Sequence, residues 1–577
     1  TEKLRYARLK AEVNALRAEK LMADIERARD SGRHLWAIRT LETFPKEDLP
    51  KAVATKVTAL RADYENRSAR FATTKRLLDD LTRQANAANP WLTDAAKAVR
   101  AEVHLDTLSR LDMFSTLAER AEKDAKEGRR PSYSPEELLA AAVTGWHLGK
   151  VAAEAKVASA YKCWTTRQMA LDYLRTTVKG NRQRILNAYL AGPNALGYDE
   201  LEKLVSLLPP PDAPEELPKG VAKFDLVPSV AFPNGVTFHV RLPEEYQPGR
   251  SYPLLVLLAD PALDGSPEYF LDRFGELPAR NGYIVAAPLW WDTQKKDPKY
   301  TYTAHEQGTV LQLVRHLRRA FQVDGDRVFL WGNGEGGSMA LDVAASHPDL
   351  FAGIVPVNPS VYQPLYIPAE YWVNFHQLPV YMIMGDTFGP SVNAIRMMSE
   401  RWMPRGFPSL VVSYKGRGQE WFAEELPYAF DWMGRKHRAD PGKQVGPPGF
   451  ADKTVAGFSS VRLSDNRFHW LSSEEIKPER TMNPVMHGRL ATPAKFSAKI
   501  VEGNTIETRV TGVRQLTVWF GKGMVDYAKP VTVKLDRTSK PVTRTIAPEI
   551  PVLMEDLYER GDRQRPYFAR MDFKVPG

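Results

Sequence analysis

Hydrophobic and polar positions recur with different periods along this chain, and the change of period divides it into three parts. Up to about residue 207, apolar residues recur three to five positions apart between charged ones, as Leu9, Val13 and Leu16 do, which predicts amphipathic helices. From residue 223 strand-like and helical segments alternate, and beyond residue 450 short strand-like segments follow one another. The pattern predicts a multidomain α/β protein.

Two segments rich in proline or glycine separate the three parts. We expect a helical region at 1–207, a proline-rich linker at 208–222, an α/β domain at 223–438, a second linker at 439–450 and a β-sandwich-like domain at 451–577. Successive prolines favour an extended path, so the first linker is expected to hold the helical region away from the α/β domain. Removal of that region should then leave a folded core.

Local signals set the expected limits of several elements. In the helical region, Asn66-Arg67-Ser68 predicts a turn between helices at 50–64 and 70–88, and Ser134 predicts the start of an apolar helix. These helices fit either a tetratricopeptide-like array or a plain bundle, because no fixed repeat period is present. Further along, 232–235 predicts a hairpin turn and 467–471 a single strand.

The α/β part contains a strand-turn-helix sequence that indicates its ancestry. Residues 327–337 read Arg-Val-Phe-Leu-Trp-Gly-Asn-Gly-Glu-Gly-Gly, after predicted strands at 254–258 and 283–288. Over about residues 220–438 the order of such segments resembles the esterase and peptidase branch of the α/β-hydrolase family, which implies a mostly parallel sheet. In that family the motif G-x-S-x-G places a nucleophilic serine on a sharp turn. Gly334 stands where the resemblance implies that serine.

The other catalytic positions implied by the resemblance are also altered. The acid position holds Phe388, the histidine position holds Gln419, and Ala259-Asp260 replaces the His-Gly oxyanion loop. A shift of two residues would give the acid role to Asp386 instead, but would restore neither the serine nor the histidine. A nucleophile without a base is weak, so the sequence predicts a pseudoenzyme with no catalytic residues.

Two other readings of this region stay open. Another hydroxyl would serve if Ser338, one helical turn beyond Gly334, acted with His305, which we place on a loop; the alternative is that both are ordinary structural residues. Gly332 to Gly337 also satisfies G-x-G-x-x-G between a strand and a helix, as a dinucleotide site would. However, no carboxylate follows at the next strand end to bind a ribose.

Composition narrows the remaining possibilities. The net charge of +9 is spread among interleaved acids and bases, which favours a solvated surface over a nucleic-acid site. No apolar run is long enough to span a membrane. The single cysteine, Cys163, excludes an intrachain disulfide, and the scattered histidines predict no metal site. No cofactor is expected, and only the family resemblance favours export, to the periplasm or beyond.

These observations lead to a ranked set of functions. The leading one is a catalytically inactive hydrolase homologue that binds or assembles with a protein partner, or with another copy, through its helical region. The second is an esterase or peptidase with a non-standard site, and the third is dinucleotide binding. Trp290, Trp291 and Tyr302 are expected either to line the old substrate pocket or to fill it. The charged run at 555–565 is expected on the surface, as a ligand site or as mutually paired charges.

Overall fold

The computed structural model describes most of the chain. The described residues are 2–85, 89–226, 235–360, 370–446, 457–481, 492–535 and 540–575. They form a mixed α/β protein in which a helical region precedes a large sheet and two smaller sheets.

The described part of the first 206 residues is helical. Its α-helices are α1 (Glu2–Asp30), α2 (His34–Glu42), α3 (Lys51–Gln84), α4 (Pro90–Glu102), α5 (Asp112–Lys126), α6 (Pro135–Leu148), α7 (Val157–Arg175), α8 (Lys179–Leu190) and α9 (Tyr198–Ser206). The start of α6 is as predicted, because the Ser134 side chain accepts a hydrogen bond from the N–H of Glu137 and Glu137 returns one to the N–H of Ser134.

The predicted break at residues 66–68 is wrong, because α3 runs through it. Arg67 lies on this continuous helix and reaches across to Leu105 and Asp106, where its guanidinium donates to a carbonyl and a carboxylate. None of the three residues at the expected turn forbids a helix, and packing on neighbouring helices stabilises it there. The end of the second predicted helix, at 86–88, lies outside the described residues.

The central sheet has eight strands. They are β1 (Val221–Leu226), β2 (Val236–Arg241), β3 (Tyr252–Leu258), β4 (Ile284–Pro288), β5 (Val323–Asn333), β6 (Gly353–Val357), β7 (Val380–Gly385) and β8 (Ser409–Tyr414). Their order is β1-β2-β4-β3-β5-β6-β7-β8; β1 and β2 are antiparallel, and β3 to β8 pair in parallel. The predicted turn at 232–235 lies largely outside the described residues.

Helices cover both faces of this sheet. They are α10 (Pro267–Asp272), α11 (Leu277–Arg280), α12 (Ala304–Ala320), α13 (Gly334–Ser346), α14 (Ser391–Met397) and α15 (Leu426–Gly434). Leu254, Val256 and Leu258 of β3 lie in one hydrophobic cluster, while Leu255 and Leu257 lie in the other. β3 is buried on both faces, as is typical of strands in a parallel sheet between helices. This burial explains why every residue of β3 is apolar.

Two smaller sheets and one helix make up the described C-terminal part. The strands are β9 (Gln444–Val445), β10 (Phe458–Ser460), β11 (Arg467–Phe468), β12 (Leu471–Ser472), β13 (Ala494–Val501), β14 (Thr505–Thr511), β15 (Gln515–Phe520), β16 (Val531–Lys534), β17 (Val542–Arg544) and β18 (Ala569–Lys574), and the helix is α16 (Ile550–Arg560). One sheet has the order β10-β13-β14-β16-β17 with β9 beside β13, and the other β11-β12-β15-β18.

Buried residues of these two sheets form one hydrophobic cluster. The strand predicted at 467–471 is instead a tight hairpin, in which β11 and β12 pair antiparallel. His469 sits between them with φ of +53°, a left-handed conformation that reverses the chain.

Short helical turns complete the described structure. The 3₁₀ turns are Leu105–Leu111, Lys150–Ala152, Tyr371–Phe375, Met403–Arg405, Ala423–Glu425 and Pro478–Arg480, and Met398–Trp402 is a π-helical turn.

The proline-rich segment does not hold the helical region away from the sheet, contrary to the prediction. Arg319 of α12 donates to the Asp212 carboxylate at 2.6 Å, and Arg563 donates to the Leu208 carbonyl at 2.6 Å. The helices also meet the α/β part directly, where Arg250 pairs with Asp106 at 2.6 Å. Leu208, Pro210 and Pro211 are buried, so this segment packs against the rest of the protein.

The charged run at 555–565 is not a free surface patch. Glu555 pairs with Arg182 of α8 at 2.9 Å, and Asp562 pairs with Arg438 at 2.6 Å. Arg438 also pairs with Asp326 at 2.9 Å. The run therefore ties the C-terminal part to both the helical region and the central sheet.

Candidate functional site

The turn between β5 and α13 has the shape that the family resemblance implies. β5 ends at Asn333, and Gly334 begins α13 with φ of +50°, a left-handed conformation that favours glycine. A side chain on Gly336 would overlap the Leu258 carbonyl, so the helix approaches β3 as closely as two backbones can. The local sequence therefore keeps a sharp strand-to-helix turn without a serine at its tip.

Asp260 occupies the space above this turn. Its Oδ2 accepts a hydrogen bond from the backbone N–H of Glu335 at 2.9 Å, and its Oδ1 accepts from the N–H groups of Ala262 and Leu263 at 2.8 and 3.1 Å. The side chain is buried. In the family to which the resemblance points, the N–H after the nucleophile stabilises the oxyanion. Here a carboxylate of the same chain accepts that hydrogen bond.

Gln419 lies beside the same point. A Cβ placed on Gly334 would overlap the Asp260 carboxylate and lie 2.8 Å from Gln419 Nε2. The structure thus brings three of the five residues singled out at the altered catalytic positions, Gly334, Asp260 and Gln419, to one place. Ala259 precedes Asp260 at the end of β3.

Asn358 ties the Gln419 loop to the sheet. It follows β6 with φ of +45°, donates from Nδ2 to the Glu420 carbonyl at 3.3 Å, and accepts at Oδ1 from the N–H of Gly385 at 3.0 Å. The amide therefore bridges the end of β7 and the residue after Gln419. Sequence reasoning missed this residue, although a polar residue directly after a buried strand was the available signal.

The two candidate acids follow β7 but make their contacts elsewhere. The exposed Asp386 carboxylate accepts a hydrogen bond from the N–H of Gly416 at 2.7 Å. Phe388 is half-buried, and its N–H donates to the Gly385 carbonyl at 3.3 Å. The contacts of Asp386 stabilise the loop that leads towards Gln419.

Two further carboxyl groups surround the turn. Asp264 pairs with Arg273 at 2.8 Å and accepts a hydrogen bond from the N–H of Asp260 at 2.8 Å. Glu335 accepts one from the N–H of Tyr300 at 3.2 Å. Burial raises the pKa of both the Asp264 and the Glu335 carboxyl groups. The site is therefore crowded with acids, and each of them already accepts hydrogen bonds from protein groups.

Aromatic side chains fill the space next to Asp260. Trp290 donates from its indole N–H to the Ala259 carbonyl at 3.0 Å and meets Tyr300 edge to face, with ring centroids 5.9 Å apart. The Tyr300 and Tyr302 rings lie 4.4 Å apart. Trp290 and Tyr302 are buried and Trp291 is half-buried, so these residues serve mainly as packing.

Ser338 lies buried at the turn, whereas His305 lies exposed on α12. The Ser338 hydroxyl is buried, donates to the Gly334 carbonyl at 3.2 Å and accepts from the N–H of Ser360 at 2.9 Å. His305 is exposed and lies in the first turn of α12, so the loop expected there is a helix. Ser338 uses its oxygen to hold the turn.

The glycines of the dinucleotide-like motif have a structural explanation. Side chains on Gly332 and Gly337 would press against the Gly336 and Val357 carbonyls respectively, as one on Gly336 would against β3. The α13 N-terminus, where a phosphate would bind, already holds the Asp260 carboxylate. These glycines permit close packing within the chain.

Among the residues that the structure describes, no group of three or more His, Cys, Asp or Glu side chains has a metal-binding arrangement. None of the helices described is both long and apolar enough to cross a bilayer.

Comparisons with known proteins locate the resemblance in this region. Residues 298–375 match the prolyl oligopeptidase family. The "Putative esterase NocK" of Nocardia uniformis subsp. tsuyamanensis is 43% identical over 74 residues, which are 13% of this chain and 20% of that protein. The chain therefore spans about a fifth of the length of that relative.

Two solved structures with low similarity to this chain are also described as esterases. A thermostable esterase is 17% identical, with 38% of this chain and 63% of that chain covered and a TM-score of 0.31. The Pyrobaculum calidifontis esterase is 14% identical, with 46% and 95% covered and a TM-score of 0.31. The sequence matches confirm a partial resemblance of this chain to the α/β-hydrolase family.

Proposed function

We propose that this α/β-hydrolase relative is catalytically silent as a serine hydrolase and acts in binding or assembly. The single observation that carries the proposal is the position of the Asp260 carboxylate. It overlaps the place of a side chain on Gly334 and accepts a hydrogen bond from the N–H of Glu335. A substrate carbonyl would need both the nucleophile and that donor, and neither is free for it.

The loss of the base supports the same conclusion independently. A serine hydroxyl is activated when a neighbouring base takes its proton, and the amide of Gln419 cannot do so at neutral pH. We assign Gly334, Gln419 and Phe388 to the former serine, histidine and acid positions, and Ala259-Asp260 to the former oxyanion loop. The proximity of Gln419 Nε2 to the Cβ position on Gly334 supports the first two assignments.

The alternative is an esterase or peptidase that acts through a non-standard site. The name of the Nocardia relative favours this class. Ser338 is the hydroxyl that the sequence offered for such a site. It is buried and donates a hydrogen bond to the Gly334 carbonyl. Dinucleotide binding stands third, because Asp260 would repel a phosphate at the α13 N-terminus.

The binding role is assigned to the helical region of residues 1–207. Hydrolase chemistry does not require these helices, and part of α1 carries apolar side chains that face solvent. We further propose that the two C-terminal sheets form a β-sandwich, a view supported by the hydrophobic cluster they share. The division into an α/β domain at 223–438 and a C-terminal domain at 451–577 belongs to the same proposal.

The test is hydrolysis of p-nitrophenyl esters together with labelling by a fluorophosphonate probe. The proposal expects no labelling and no turnover above the trace rate that binding alone provides. Ser338→Ala is the matched variant and should change neither result. Robust ester cleavage that copurifies with the protein and disappears in Ser338→Ala would establish the alternative function.

A further inference from the structure

The N-terminal half of α1 presents a narrow apolar seam to solvent. Tyr6, Leu9, Val13 and Leu16 are between 44% and 71% exposed. Their spacing of three, four and three residues is that of the a and d positions of two heptads. Side chains so spaced lie in one row along a helix.

The seam is on the opposite face from the one that packs inside the protein. Ala18, Met22 and Ile25 are buried in a cluster with residues of α2 and α3. At 100° per residue these positions point roughly 120–180° away from Leu9 and Leu16. The helix therefore has an inner apolar face in its second half and a separate outer one in its first.

The N-terminal half of α1, taken alone, gains little stability from its own hydrogen bonds. Segments shorter than about 12–15 residues are marginal in water, and most helix stability in proteins comes from packing an apolar face. Contact along the seam would therefore stabilise this half of α1 while removing four large side chains from water.

Charges beside the seam select the kind of partner. The flanking e and g positions hold four basic residues and two acidic ones, in the order Lys3, Arg5, Lys10, Glu12, Arg17 and Glu19. Glu12 already pairs with Arg8 of its own helix at 3.0 Å. The edges of the seam are thus predominantly positive.

A second copy of the same helix fits these charges poorly. In a parallel pair the repulsion of Arg5 by the partner's Lys10 would offset the attraction of Glu12 for the partner's Arg17, and in an antiparallel pair centred between Leu9 and Val13 the two Lys10 side chains would meet. Like charges at these positions oppose pairing, so a second copy gains no net attraction in either arrangement. A helix with acidic flanks would meet four basic side chains and only two acidic ones.

We propose that the outer seam of α1 binds an amphipathic helix of another protein whose apolar seam is flanked by Asp or Glu. This inference rests on the proposed binding role and names its surface and partner chemistry. The stripe is narrow and its polar surroundings include acids, which suits a coiled-coil contact better than a membrane surface.

The experiment uses the full chain and a synthetic probe. The probe is a labelled three-heptad peptide with Ile at a, Leu at d and Glu at all e and g positions, and a second peptide carries Lys at e and g. Fluorescence anisotropy should show that the Glu peptide binds and that its binding weakens with salt. The Lys peptide should bind at least about tenfold more weakly than the Glu peptide.

Variants locate the contact. Leu9→Ser with Leu16→Ser should weaken binding of the Glu peptide at least about tenfold, and Lys10→Glu with Arg17→Glu should weaken it and favour the Lys peptide. The matched control is Leu4→Ser, because Leu4 is 75% exposed but lies off the seam. Circular dichroism checks that each variant keeps its helices.

Four outcomes would overturn the inference. They are no binding of the Glu peptide, equal binding of both peptides, seam-dependent dimers of the full chain in sedimentation, and seam-dependent binding to phosphatidylserine vesicles instead of the peptide. Failure here would leave the absence of ester hydrolysis untouched. Conversely, ester turnover would reject the silent-hydrolase proposal without affecting the peptide result.

Discussion

Asp260 and Glu335 are joined by a hydrogen bond of 2.9 Å, in which the Glu335 backbone N–H donates to the Asp260 carboxylate. The relationship links the loop after β3 to the first turn of α13. It means that the turn is closed by the protein's own carboxylate.

Gly334→Ser is expected to give a destabilised and inactive protein. The residue has φ of +50°, where a side chain costs roughly 1–3 kcal/mol, and its Cβ would overlap Asp260. The midpoint of chemical denaturation should fall, and p-nitrophenyl ester turnover should stay at background. Strong activity in this single variant would mean that another residue supplies the base.

Activity is expected only after several positions are changed together. Gly334→Ser would supply the nucleophile, Gln419→His and Phe388→Asp would add a base and an acid, and Asp260→Gly would free both the space and the N–H of Glu335. Measurable labelling by a fluorophosphonate is expected first in the combined variant. If labelling appears without Asp260→Gly, the carboxylate is not the obstacle.

Asp260→Ala is expected to destabilise the protein by roughly 2–4 kcal/mol. The substitution removes the acceptor for three backbone N–H groups, and a hydrogen bond to a charged group contributes about 1.5–3 kcal/mol net, of which water that enters the vacated space would restore part. Denaturant unfolding measures the loss. Asp260→Asn is the control, since it keeps an acceptor oxygen and should lose less.

Arg438→Met is expected to destabilise by about 3–5 kcal/mol, because it removes the nearer cation from the fully buried Asp562 carboxylate and leaves it only Arg560, at 3.5 Å. The Arg438 guanidinium lies between Asp326 and Asp562, and Asp562 is fully buried. Burial disfavours the charged guanidinium, but the two carboxylates outweigh it and raise the pKa of Arg438. Thermal unfolding checks the change. Arg435→Met removes an exposed ion pair nearby and should have little effect.

Stability is expected to fall as the pH drops from about 6.5 towards 4. Burial lowers the pKa of His104 and His469 to about 4 and that of His376 to about 3. The unfolded chain binds protons at these histidines near pH 6.5 and the folded chain does not, so folding free energy is lost through this window. Denaturation midpoints at pH 7 and pH 5 measure it, and His469→Gln should reduce the difference. An unchanged difference would contradict this origin.

The sequence predicted several elements well because their signals are local. An apolar run, a glycine turn and a helix cap each act within a few residues, which is why β3, β5 and α6 were found. The continuity of α3 and the hairpin at His469 were missed, because each depends on packing partners far along the chain. The docking of the proline-rich segment depends on Arg319 and Arg563, which lie in other parts of the sequence.

The sequence predicted that the catalytic groups are missing from the candidate site, but it did not predict the new role of Asp260. Asp260 was noted only as a departure from an oxyanion loop. Its use as an internal acceptor depends on how the loop after β3 folds back over α13, which involves Asp264 and Asn333 as well. A sequence motif shows which reactive group is absent. It does not show which group occupies the vacated volume.

The helices of the N-terminal region and the C-terminal helix α16 share one hydrophobic cluster, in which Leu171, Leu174 and Leu204 pack with Leu553 and Leu557. Two distant stretches of chain therefore complete the same core. Removal of either stretch would expose apolar side chains of the other to water. Calorimetry should show the two melting as one cooperative unit. A truncated protein without residues 1–207 would therefore expose Leu553 and Leu557 of α16 to water.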